Sequence, residues 1–157
     1  LFLYHKPAGL MTTHKDPEGR PTVFSSLPKK MPRVISIGRL DLNSEGLLLL
    51  TTSGELAHTL ENPGLGWKRR YRVRAYGTLT EAQMQIIRKG VTVEGVRYRP
   101  AEIEFENGKG RNAWYLVTLT EGKNREIRNI FAHFDCQVSR LIRVSFGPFQ
   151  LGALKPG

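Results

Sequence analysis

Gly38-Arg39-Leu40-Asp41-Leu42-Asn43-Ser44-Glu45-Gly46 runs directly into Leu47-Leu48-Leu49-Leu50-Thr51-Thr52, and the reading of this junction decides the fold. The apolar run from Leu47 to Thr52 has strand length and no polar alternation, which suits a strand covered on both faces. Upstream, Val34 to Ile37 reads as another core strand, ended by Gly38. A polar loop, Gly38 to Gly46, is thus squeezed between two core strands. Its backbone is held while its side chains can face a cleft.

Working outward, residues 1 to 4 form a short apolar strand followed by the turn Lys6-Pro7-Ala8-Gly9. Thr12 to Pro32 carries Pro17, Gly19, Pro21, Pro28 and Pro32 and reads as a long loop, a length that is commonly functional inside a compact domain. On the other side, Ser53 caps a short helix through Leu60, stopped by Asn62-Pro63-Gly64. Tyr71 to Gly77 has strand character. Thr80-Glu81-Ala82-Gln83 is a capping box opening a helix that Gly90 ends. Val91 to Tyr98 reads as a hairpin about Glu94-Gly95. Residues 101 to 106 alternate apolar and acidic side chains, as a strand with one solvated face does; a turn is expected at Asn107-Gly108-Lys109-Gly110, then a strand from Ala113 to Thr120. From Lys123 to Phe134, Ile127, Ile130, Phe131 and Phe134 recur at helical spacing, and Val138 to Phe146 is a last long strand. Strands outnumber helices and hairpins join them. The expected class is α+β, with a mixed, mainly antiparallel sheet flanked by a few helices. One domain, 1–157, is expected, with subdomains at about 1–66 and 67–157.

The 157 residues include 24 Lys and Arg against 14 Asp and Glu, a formal net charge of +10, with 39% apolar residues. That composition supports a buried core, and its excess positive charge points to a polyanionic partner such as nucleic acid. No stretch reaches the roughly 18 continuous apolar residues of a membrane span. A single cysteine, Cys136, fits a reducing compartment, so a cytoplasmic location is expected. His5, His14, His58 and His133 are scattered and offer no metal-ligand cluster.

The bases are clustered: Lys68, Arg69, Arg70, Arg72 and Arg74 lie around Tyr71, and Lys123, Arg125, Arg128, Arg140 and Arg143 follow near the C-terminus. Such clusters contact phosphates, which gives affinity and register but no chemistry. Asp41 is the exception to this pattern. A carboxylate in a cleft built for phosphates weakens binding, so it either caps the turn or serves as a nucleophile or general base kept ionised by an arginine. Glu121-Gly122-Lys123-Asn124-Arg125-Glu126-Ile127-Arg128 is a turn leading into a helix whose first turn is basic, against the preference of the helix dipole, and so favours an anionic partner.

Gly38-Arg39-Leu40-Asp41 with Ser44-x-Gly46-Leu47-Leu48 resembles the central motif of RNA pseudouridine synthases in the branch that modifies bacterial ribosomal RNA. Lys6-Pro7-x-Gly9, Tyr71-x-Val73, Gly122-Lys123-Asn124-Arg125-x-Ile127-Arg128 and Gly147-Pro148 follow in that family's order, so the resemblance covers nearly the whole chain. Asp16 to Phe24 and Trp114 to Gly122 are most similar to the large-subunit members. The resemblance implies the pseudouridine synthase fold with a central RNA-binding cleft, and isomerisation of uridine on a flipped-out nucleotide.

It further implies that Asp41 is the catalytic carboxylate, acting as nucleophile or as base. Arg128 would be its paired cation, Tyr71 would stack on the base, and Ile127 would pack against it. Arg39 would enter the RNA stack in place of the flipped nucleotide. Lys6, Arg69, Arg70, Lys123, Asn124 and Arg125 are expected to bind substrate. The reaction needs no cofactor and no metal, and the expected partner is ribosomal RNA, of the large subunit, met by a monomer without a membrane. Relatives of this type carry an N-terminal RNA-binding domain of the S4 kind, which this chain is expected to lack. Arg69 stands where many of them have Lys, and Asp135 where they often have Gly. Three alternatives stand beside this reading. One is a small-subunit synthase. Another is an RNA-binding module without activity, which would require Asp41, Tyr71 or Arg128 to be missing or misplaced. The third, a carboxylate-dependent nuclease, would require more acids than Asp41 and Glu45.

Overall fold

The computed structural model describes residues 1–14, 16–123 and 125–157. Strands β1 (Phe2–Lys6), β2 (Ile35–Ile37) and β3 (Glu45–Thr51) precede helix α1 (Gly54–Leu60). Strand β4 (Arg69–Tyr76), helix α2 (Glu81–Lys89) and the hairpin β5 (Val91–Val93) and β6 (Val96–Tyr98) follow. The chain then forms β7 (Glu102–Lys109), β8 (Asn112–Leu119), α3 (Glu126–His133), β9 (Gln137–Phe146) and β10 (Phe149–Gln150). The main sheet runs β1-β3-β9-β4-β8-β7, with β2 paired to β3 and β10 to β9. Every pairing in it is antiparallel except β3 with β9, which run parallel through Glu45 opposite Ile142 and Gly46 opposite Arg143. The α+β expectation is met.

The parallel seam joins the N-terminal strands to the rest of the sheet, and it requires a glycine. Gly46 has φ of 107°, and a Cβ there would lie 2.2 Å from the Arg143 carbonyl oxygen, so no side chain fits. Leu47, Leu48, Leu49 and Leu50 are all at most 1% exposed, as a strand covered on both faces demands. Leu47 and Leu49 pack with Ile37, Ala57, Ile142 and Phe146, while Leu48 and Leu50 pack with Tyr4, Val23 and Val34. A larger core lies between the sheet and α2 and α3, built on Val73, Tyr115, Val117, Ile87, Ile127 and Phe131.

Local signals are realised at both capped helices. Ser53 accepts the Leu56 amide, and Thr80 and Gln83 form the reciprocal capping box. Glu94 and Gly95, at φ of 48° and 82°, make the tight reversal between β5 and β6. Three boundaries differ from expectation. The polar loop is shorter, because Glu45 and Gly46 already belong to β3. The turn expected at residues 107 to 110 lies later: β7 continues to Lys109 through an irregularity between Phe105 and Asn107, and the positive φ of the reversal, 63°, belongs to Gly110. Helix α3 starts at Glu126 because Arg125 has φ of 52°, which breaks the right-handed spiral. Asp135, where relatives often have Gly, has φ of 60°; the position requires the left-handed region, which Asp tolerates better than most residues do.

Candidate functional site

A cavity of about 890 Å³ lies where the loop Gly38–Ser44, strands β4 and β9, and the start of α3 converge. Asp41, Tyr71, Ile127, Arg39, Arg69, Lys123 and Arg125 all line it, so most of the residues singled out in the sequence meet at one place.

The loop is held from beneath. Thr12 Oγ1 donates to the Leu40 carbonyl at 2.9 Å, the Gly9 amide to the Leu42 carbonyl at 2.8 Å, and the Gly38 amide to Glu61 Oε1 at 3.0 Å. Lys6, expected to bind substrate, does not reach the groove. It is 0% exposed, and its ammonium donates to the carbonyls of Pro7 (3.1 Å), Leu42 (3.1 Å) and Ser44 (2.7 Å). Burial lowers its pKa from 10.5 to about 8, against the pull of Glu45 and Asp41. The loop turns on the Asp41 backbone carbonyl, which accepts the Ser44 amide at 3.0 Å. The Asp41 side chain is 38% exposed, and its carboxylate faces Arg125, with Nη1 3.9 Å from Oδ2.

Arg128 is not the cation beside that carboxylate. Its guanidinium donates to the carbonyls of Asn43 at 3.3 Å and Val138 at 3.5 Å, so it ties the loop to β9. Burial and Arg125 lower its pKa, and the nearby charge of Asp41 opposes them. The backbone at Arg125 is the reason. Its left-handed conformation at the helix entrance brings its guanidinium to Asp41, while Arg128, one turn later, meets backbone oxygens.

Strand alternation sorts the β4 bases. Arg69 lines the cavity with Tyr71, its guanidinium 5.2 Å from the Phe146 ring centre. Arg70 is exposed and lies outside the cavity lining, so it is not brought to the site. Arg72 and Arg74 likewise stack over Trp114 at 4.5 and 5.9 Å. Lys123 lies over Tyr98 at 5.8 Å and 3.3 Å from Glu121. Asn124 lies outside the described residues.

Several residues of the cavity are not singled out as site residues by the sequence. Leu141 (9% exposed) joins the expected Ile127 (4%) in an apolar wall near the half-buried Tyr71 ring. Arg143, opposite Tyr71 in the sheet, is 4% exposed and donates through Nε to the Leu47 carbonyl at 2.8 Å. Burial lowers its pKa and the Tyr71 hydroxyl opposes this. Its place among Leu141, Ile142 and Val144 was the available signal of burial. Glu126 is 3% exposed and, among the described residues, neither carboxyl oxygen has a hydrogen-bond partner. Burial, with the neighbouring Glu121 next in weight, raises its pKa from 4.5 to about 8.

The arrangement is an apolar slot with an aromatic side, the part-exposed Asp41 carboxylate among the acids of its lining, and arginine and lysine around the opening. It can hold a flat ring while cations grip a polyanion. Among the described residues no group of three or more His, Cys, Asp or Glu is placed to hold a metal ion, and no helix is long and apolar enough to cross a membrane.

The family model described as RNA pseudouridylate synthase matches residues 1–133. An uncharacterized RNA pseudouridine synthase of Rickettsia prowazekii is 53% identical over 157 residues, all of this chain and 66% of that protein. Ribosomal large subunit pseudouridine synthase B of Escherichia coli is 48% identical over 152 residues, 96% of this chain and 52% of that protein. The present chain thus spans between half and two thirds of these relatives' length. A solved pseudouridylate synthase superposes with a TM-score of 0.84 at 25% identity, over 98% of this chain and 66% of that one. The motifs, the fold and these relatives agree, and the chain belongs to the RNA pseudouridylate synthase family.

Proposed function

We propose that the chain isomerises uridine to pseudouridine in ribosomal RNA, that of the large subunit, as the name of the 48% identical Escherichia coli relative suggests. The observation that carries this reading is the placement of Asp41: the carboxylate stands at the rim of an apolar slot formed by Tyr71, Ile127 and Leu141, ringed by cations. The target bond joins N1 of the base to C1′ of the ribose, and neither atom is reachable in a stacked helix, so the nucleotide flips out into the slot. Tyr71 stacks on the ring, a contact of about 1–3 kcal/mol per base. Asp41 attacks the flipped nucleotide as a nucleophile or removes a ribose proton as a base. The N1–C1′ bond breaks, the freed uracil turns within the slot, a C1′–C5 bond forms as Asp41 is released, the proton on C5 leaves and N1 takes one up, so the isomerisation consumes no co-reactant.

Arg125 sets its guanidinium beside Asp41, and Arg128 fixes the loop that carries it. Arg39, exposed at the cavity mouth, fills the gap left in the RNA stack. Arg69 and Lys123 hold phosphates.

The test uses ribosomal RNA from cells lacking the protein, treated with the purified chain and mapped for pseudouridine by carbodiimide adducts and primer extension. One restored large-subunit position, absent with Asp41→Asn, is expected. Restoration in the small subunit overturns the choice of RNA, and an active Asp41→Asn variant overturns the mechanism.

A further inference from the structure

Of the cations that line the cavity, among the described residues only Arg143 is buried, and the chemistry above leaves it without a task. Arg39, Lys123 and Arg125 are exposed at the opening, where the RNA backbone passes. Arg143 is 4% exposed. A buried lysine or glutamate can shed its charge, but a guanidinium keeps its proton in any protein environment and therefore needs acceptors. Burial disfavours the charge of Arg143, and the Tyr71 hydroxyl only partly opposes this.

The fold fixes where that guanidinium sits. Leu141 and Arg143 alternate onto the slot side of β9, while Ile142 and Val144 pack into the core that includes Ala57 of α1. The Arg143 backbone lies against Gly46, where a Cβ would come 2.2 Å from its carbonyl oxygen. Nε donates to the Leu47 carbonyl at 2.8 Å, and the guanidinium lies over the Phe146 ring, 4.9 Å from its centre. Tyr71 is the direct neighbour on β4, so its ring and the guanidinium belong to one corner of the slot.

One end of the guanidinium is left over. Nη2 is shut off from water and, among the described residues, has no hydrogen-bond partner. The acids of the lining do not serve it: Asp41 faces Arg125, Glu45 is held by Arg140 through both oxygens, and Glu61 accepts the Gly38 amide. Glu126 is buried with no hydrogen bond of its own among the described residues. A donor held this firmly without an acceptor is rare in a folded protein, and completion by a ligand accounts for it. At this depth, among Tyr71, Ile127 and Leu141, the part of a nucleotide that arrives is the base, because its phosphates stay with the exposed cations. Uracil carries two carbonyl oxygens in its ring plane, O2 and O4, whereas cytosine has an amino group in place of O4.

We propose that Arg143 reads the flipped base, its guanidinium donating to a carbonyl oxygen of uracil at the buried side of the slot. The inference rests on the reading of the cavity as the uridine site. With O4 as the acceptor, the contact also excludes cytosine, whose amino group would set donor against donor and leave a buried charge unpaired.

The experiment is a double-mutant cycle between protein and RNA. A ribosomal RNA fragment carries, at the position found in the mapping above, uridine, pyrimidin-2-one riboside (no O4) or pyrimidin-4-one riboside (no O2). Affinities are measured for the chain with turnover blocked by Asp41→Asn, with and without Arg143→Met. With Arg143 in place, one analogue is expected to bind about thirtyfold more weakly than uridine, as when a charged donor loses its acceptor. Arg143→Met is expected to weaken the uridine RNA about as much, and deleting the same oxygen should then change affinity by less than about twofold. A loss confined to the base without O4 supports both the contact and the exclusion of cytosine; a loss confined to the base without O2 supports the contact alone. Both analogues binding within about twofold of uridine would overturn the proposal with Arg143 untouched, so the result does not depend on how the variant folds. Losses that simply add in Arg143→Met also overturn it, since they mark a residue that only supports the slot. A mapping that finds no modified position removes the uridine reading and this proposal with it. A modified position whose analogues bind as uridine does removes this proposal alone.

Discussion

Two segments that line the groove each adjoin a buried ionisable group, and the two groups are of opposite sign. Gly38–Ser44, which carries Asp41, is held by a buried cation: Lys6 donates to three carbonyls from a site with no exposure. Lys123 and Arg125, the groove's own cations, stand close in the chain to a buried acid, Glu126. Burial drives both groups toward neutrality, Lys6 down to about 8 and Glu126 up to about 8. The difference lies in what remains. Lys6 keeps three acceptors, which reward its charge, whereas Glu126 has Glu121, which penalises it. The carboxylate exposed to water and arginine is the one suited to chemistry, and the buried one is suited to structure.

The comparison breaks first if the two acids can exchange roles. Asp41→Asn is expected to reduce pseudouridine formation by at least about a thousandfold, some 4 kcal/mol in the barrier, with RNA affinity within about twofold of wild type. Single-turnover assays and binding isotherms on the same preparation check both halves. Glu126→Gln should leave the single-turnover rate at neutral pH near wild type; a loss comparable to that of Asp41→Asn would place Glu126 in the chemistry.

Next in size is Lys6→Met. It leaves the Leu42 and Ser44 carbonyls without their donor and is expected to cost about 2–4 kcal/mol in urea unfolding. It also tests the sign of the buried cation. Folded Lys6 releases its proton at about 8 and the unfolded chain at 10.5, so the unfolded state holds more protons in between and stability rises with pH across that window. The variant should lose this rise.

Glu126 has the opposite sign. The folded state keeps a proton up to about 8 that the unfolded chain gives up at 4.5, so this contribution is full below 4.5 and declines as pH rises to about 8. Glu126→Gln is expected to flatten that decline, by at most about 1.4 kcal/mol per pH unit. An unchanged slope would mean that Glu126 is ionised in its burial site and would erase the contrast between the loops.

The smallest expected effect concerns the exposed cations. Arg125→Gln should lower the slope of log affinity against log salt by about one, as follows when one phosphate fewer is neutralised by the protein. An unchanged slope with a reduced rate would assign Arg125 to Asp41 alone.

Much of this was legible along the chain because the signals are local. The leucine run from 47 to 50 declared a strand covered on both faces, the caps at Ser53 and Thr80 declared helix starts, and the spacing of Ile127, Ile130 and Phe131 declared a buried helical face. Each depends on neighbours a few residues away. Motif order then placed Asp41, Tyr71 and Ile127 together, and they do share a cavity.

What the sequence left open is partnership across space. A lysine in a Lys-Pro-x-Gly turn looks like a surface base, and only the approach of residues 42 and 44, some forty positions away, turns it into an internal clamp. The family resemblance made Arg128 the partner of Asp41 and left Arg125 to the substrate. The left-handed backbone at Arg125, a consequence of how the loop enters α3, brought the first to the carboxylate and the second to the carbonyls. Strand alternation separated Arg69 from Arg70 once β4 was paired on both sides. The sequence by itself determined which elements form, which faces they bury and which acid stands among the bases. The tertiary structure decided which charges are shut away from water, because desolvation is set by everything that packs around a group and not by the residues beside it in the chain.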